Sequence, residues 1–84
     1  MIVLKNVYQV NQVKEEIASR NSRCEAIDRR IAAIRKLLAF LSMQDLGEAS
    51  IELTELQVEK RNHAEYIRSA KQWVSNFYSC SHTA

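Results

Sequence analysis

From Val10 onward the apolar residues recur at alternating intervals of three and four: Val10, Val13, Ile17, then Cys24, Ile27, Ile31, Ile34, Leu38 and Leu41, with Arg20 standing at the one seam position filled by a charge. A mean interval of about 3.5 residues keeps a single stripe of a helix turned toward a partner helix, so this run specifies a coiled-coil seam sustained over several heptads. Taking Val10 as position a puts Val10, Ile17, Cys24, Ile31 and Leu38 at a. Val13, Arg20, Ile27, Ile34 and Leu41 then fall at d. A second stripe, Ala49, Leu53, Leu56, Lys60, His63, Ile67, Ala70, Val74 and Phe77, steps by four and three and is weakened in its middle by Lys60 and His63.

Between the stripes stands Gly47, the only glycine of a chain that contains no proline. Glycine readily ends a helix, so the break is expected beside it. Asn6 followed three residues later by Gln9 has the form of a capping box that opens the first helix. The chain reads as one domain, 1–84, with an N-terminal arm at 1–6, helix one at 7–44, a turn at 45–48, helix two at 49–78 and a flexible tail at 79–84.

A short connection sends the second helix back along the first. Counting outward from the turn pairs Leu41 with Ala49, Ile34 with Leu56, Ile27 with His63 and Val13 with Phe77, and sets Arg20 against small Ala70. Charge agrees with the antiparallel sense. Segment 20–36 carries six positive and two negative residues, whereas 45–65 carries six negative and two positive. The fold class is all-α: a long antiparallel helical hairpin, patterned as a coiled coil.

A chain of 84 residues buries too little surface to be comfortable alone. It also carries more apolar surface than one seam uses. Ala33, Leu37 and Phe40 form a second row on helix one, and Ile51, Val58, Tyr66 and Trp73 lie outside the seam of helix two. These seven are the candidate protein interface, and a homodimer closed into a four-helix bundle is the simplest way to cover them. The alternative is a foreign protein partner of unknown identity.

The residues point away from catalysis. A narrow coiled coil offers no concave pocket, and no Ser or Cys stands with a His and an orienting acid. His63, Cys24, Cys80 and His82 match no structural zinc spacing, so neither metal nor cofactor is expected, and both cysteines read as free thiols. The apolar start Met1–Leu4 is interrupted by Lys5 and Asn6 too early for a membrane span or a signal core, which points to a cytoplasmic protein.

A net charge of +2 implies no polyanion partner by itself. The basic residues of helix one nevertheless supply candidate phosphate contacts in Arg23, Arg30 and Lys36. The pattern of paired heptad hairpins resembles that of Rop-like RNA-binding proteins, in which two short helical hairpins dimerise and present polar faces to paired RNA. The resemblance is one of pattern, and no residue is carried over from it. The expected function is a small non-catalytic protein-interaction module, an adaptor, assembly factor or inhibitor of the kind phages and other mobile elements encode. The alternative is a small RNA- or DNA-binding regulator.

Overall fold

The structure is a computed structural model that describes residues 3–82, with side chains from 3 to 79. It consists of two long helices, α1 (Val7–Leu37) and α2 (Met43–His82), joined through a single 3-10 turn at Leu38–Phe40. The helices pack side by side as an antiparallel hairpin that is 63 Å long and 19 by 15 Å across. Among the described residues there is no strand.

The opening of α1 follows the expected capping logic with one change of partner. Asn6, in an extended conformation, accepts the Gln9 N–H on its side-chain oxygen at 2.9 Å. The Gln9 side chain accepts the N–H of Lys5, at 2.7 Å, rather than that of Asn6. One amide that a helix start leaves without a partner, that of Gln9, is thereby satisfied, together with the N–H of Lys5 just before the cap. Residues 3–5 precede the cap without regular structure, and Met1 and Ile2 of the expected arm lie outside the described residues.

The turn lies earlier than the sequence predicts. Helix one ends at Leu37, not 44, and helix two begins at Met43, not 49, so the expected turn at 45–48 is helical. The signal that wins is Ser42. Its hydroxyl oxygen accepts the Asp45 N–H at 3.2 Å and its O–H donates to the Asp45 carboxylate at 3.0 Å, a reciprocal cap that starts α2. Reversal of the chain needs only the 3-10 turn and an extended Leu41, and among the described residues none takes a positive φ. Gly47 sits within α2 at a cost of about 1 kcal/mol relative to alanine, which a long packed helix absorbs. At the other end α2 runs through His82, so residues 79–82 of the expected tail are helical; 83 and 84 lie outside the described residues.

All ten predicted seam positions from Val10 to Leu41 are buried or half-buried, including Val10 at 0% and Ile27 at 1% exposure. Ala70, at 0%, is the most deeply buried residue of α2. Lys60 is the exception in the second stripe: its side chain is exposed and carries Nζ out of the seam to Asp28 at 2.7 Å. A lysine does this readily, because its stem can lie along apolar surface while the ammonium reaches water.

Moving the turn moves the register. Arg20 lies against His63 and Tyr66, not Ala70. The flanking pairs Arg23–Glu59 and Arg30–Glu52 on one side, with Lys14–Tyr78 on the other, bring Val10 level with Phe77 and Ile34 level with Leu53. The displacement from the expected pairing is about one helical turn. Because the apolar stripes repeat at the same step, the seam remains apolar after the shift.

Candidate functional site

The two edges of the seam differ. Along one, α1 and α2 are joined by two bidentate ion pairs. Arg23 holds Glu59 at 2.6 and 3.0 Å, and Arg30 holds Glu52 at 2.8 and 3.1 Å. These realise the charge complementarity between segments 20–36 and 45–65. The paired geometry favours the charged forms: the hydrogen bond from Arg23, reinforced by one from His63, lowers the Glu59 carboxyl to about 2, and the hydrogen bond from Arg30 lowers Glu52.

Where the second stripe is weakest, a polar cluster crosses the seam. Arg20 donates from Nε to Glu16 at 2.9 Å and places Nη1 3.1 Å from His63 Nδ1. The other ring nitrogen of His63, Nε2, is 3.0 Å from Glu59. A guanidinium has only donors, so Nδ1 must accept, which leaves the ring proton on Nε2 to be donated to Glu59. The neighbours thus favour the proton on Nε2. The Arg20 guanidinium also lies 3.9 Å from the centre of the Tyr66 ring, and Tyr66 meets Trp73 edge to face at 5.6 Å.

The seven candidate interface residues separate into three groups. At the turn end, Leu37 and Phe40 are exposed at 53% and 84%, with Ala33 one turn before Leu37 and also exposed. Leu37 borders a groove with Arg30 and Glu52, on the ion-paired edge. Toward the open end of that same edge, Tyr66 and Trp73 are half-buried and engaged with Arg20 and with each other. Ile51 and Val58 are exposed on α2, one heptad apart and turned away from the seam that Ala49, Leu53 and Leu56 define. Met43, the first residue of α2 and 86% exposed, is an apolar residue of the turn end that spacing alone does not single out.

Of the three candidate phosphate contacts, Arg23 and Arg30 are engaged by Glu59 and Glu52. Lys36, in the last turn of α1, is exposed and suits the negative end of that helix. Cys24 is a half-buried free thiol in the seam, while the side chains of Cys80 and His82 lie outside the described residues. Among the described residues no three of His, Cys, Asp and Glu come together as a metal ion would require, and no helix is long and apolar enough to cross a membrane.

Comparison with protein-family models, with curated proteins and with solved structures finds no match to this chain.

Proposed function

We propose that the chain is a non-catalytic protein-interaction module whose first partner is a second copy of itself. The carrying observation is surface. The hairpin exposes 6330 Å². A compact monomer of 9.7 kDa exposes roughly 5,100 Å², so about 1,200 Å² remains uncovered beyond what its mass requires. A standard interface buries about 800 Å² on each partner, which this excess can supply.

The ion-paired edge is the face that fits. It presents Ala33, Leu37 and Phe40 near the turn and the Tyr66–Trp73 pair toward the open end, roughly 35 Å away along the bundle. Two copies packed through this face with their turns at opposite ends set the apolar turn end of each against the aromatic end of the other. The product is a four-helix bundle with a coiled-coil core in each hairpin. Ile51 and Val58, on the back of α2, stay outside that interface and are the surface left for a foreign protein, consistent with an adaptor, assembly factor or inhibitor acting in the cytoplasm.

Sedimentation at micromolar concentration tests the reading. It expects twice the mass of 9.7 kDa and a fall toward the monomer mass when Phe40 is replaced by Glu. The other reading, a regulator that grips nucleic acid through Arg23, Arg30 and Lys36, has less support, because two of those cations are already held by glutamates.

A further inference from the structure

We propose that the edge of the hairpin opposite the Arg23–Glu59 and Arg30–Glu52 pairs binds the phosphate backbone of a nucleic-acid duplex. This surface is distinct from the self-association face and does not depend on it. Arg35, Lys60 and Arg61 border one open groove of this edge, together with Asp28, Gln57 and Ala64. Arg68 and Lys71 border the next, with Asn21, Gln72 and the same Ala64, so the two grooves form one continuous strip. Lys14 extends the row, its ammonium 3.3 Å from the Tyr78 hydroxyl.

The strip is unbalanced in charge. The one carboxylate lining either groove, Asp28, is taken by Lys60 at 2.7 Å. Arg35, Arg61, Arg68 and Lys71 are exposed, and no carboxylate among the described residues lies within 4.0 Å of them. On the other edge the reverse holds: Arg23 and Arg30 are neutralised, and Asp45 and Glu48 line the groove beside Glu52. A net charge of +2 for the whole chain conceals this polarity.

Shape and chemistry select the ligand. From the level of Gln57 to that of Tyr78 the row runs about 30 Å along a straight helix, close to the roughly 34 Å of one duplex turn. Between the cations stand Asn21, Gln57, Ala64 and Gln72, amides that can donate to phosphate oxygens and a small residue that allows close approach. A protein partner is normally anchored by large apolar or aromatic side chains, and the two grooves offer no exposed one.

The test is fluorescence anisotropy of the full chain with labelled duplexes of about 20 base pairs, one of DNA and one of RNA, with salt raised from about 50 to 200 mM. With Lys60 held by Asp28, phosphate contacts from the other five cations, Lys14, Arg35, Arg61, Arg68 and Lys71, predict binding at low salt that weakens roughly 500-fold over this range. Arg61→Glu with Arg68→Glu should weaken binding at least about tenfold at low salt, and circular dichroism checks that the double variant remains helical. Binding to either duplex with these dependences supports the proposal, and a preference between them names the source of the phosphates. No binding at low salt, insensitivity to salt, indifference to the double charge reversal, or equal affinity for polyglutamate of the same charge density overturns it.

Discussion

Arg20 Nη1 and His63 Nδ1 meet at 3.1 Å across the seam, each supplying what the other lacks: a donor with no acceptor capacity, and an imine nitrogen free to accept. The contact places two polar side chains in a stripe that is otherwise mostly apolar. Replacing His63 alone by Leu removes the acceptor from the half-buried guanidinium and is expected to cost about 1–3 kcal/mol. Replacing both Arg20 and His63 by Leu removes donor and acceptor together and should leave the hairpin as stable as the parent, or more so. Urea unfolding of the single and double variants checks this; a double variant less stable than His63→Leu would refute the complementary pairing.

The position of the turn makes a prediction of opposite sign to the one the glycine suggests. Gly47 lies inside α2, and a Cβ built there meets nothing within 4 Å. Gly47→Ala should therefore stabilise the protein by about 0.5–1 kcal/mol. Ser42→Ala, which removes the cap, should cost about 1 kcal/mol. Thermal melts of the two variants read both values, and a destabilised Gly47→Ala would return the chain reversal to residues 45–48.

The Arg23–Glu59 pair carries a pH dependence. Its folded-state carboxyl is depressed to about 2 from the ordinary 4.5. A depressed acid contributes stability that is fully present above the unfolded value and is lost as pH falls through the folded one. Denaturant midpoints should accordingly decline as pH drops from 4.5 toward 2, and Glu59→Gln should flatten part of that decline. A parent and a Glu59→Gln variant with superimposable acid profiles would show that the pair contributes nothing.

The seam was legible because burial in a helix pair follows the spacing of apolar residues: each of the ten positions read from Val10 to Leu41 is buried or half-buried. Charge complementarity was legible in sum, and the structure resolves it into Arg23–Glu59 and Arg30–Glu52. Gly47 misled because a helical glycine costs only about 1 kcal/mol, while Ser42 and Asp45, three residues apart, had already supplied a start signal. Lys60 follows the stripe in spacing but leaves it through a flexible stem to Asp28. The basic strip could not be read from one helix, since Arg35 belongs to α1 and Arg61 to α2. Their adjacency depends on a register that itself depends on the turn.

In the proposed homodimer this hairpin is half of its assembly. Sedimentation equilibrium of the parent and of Phe40→Glu tests it most directly, because Phe40 is 84% exposed and its replacement leaves the seam untouched. The parent should sediment at twice 9.7 kDa at micromolar concentration and the variant should shift toward 9.7 kDa, with helicity retained. A parent that sediments as a well-folded species of 9.7 kDa would contradict it.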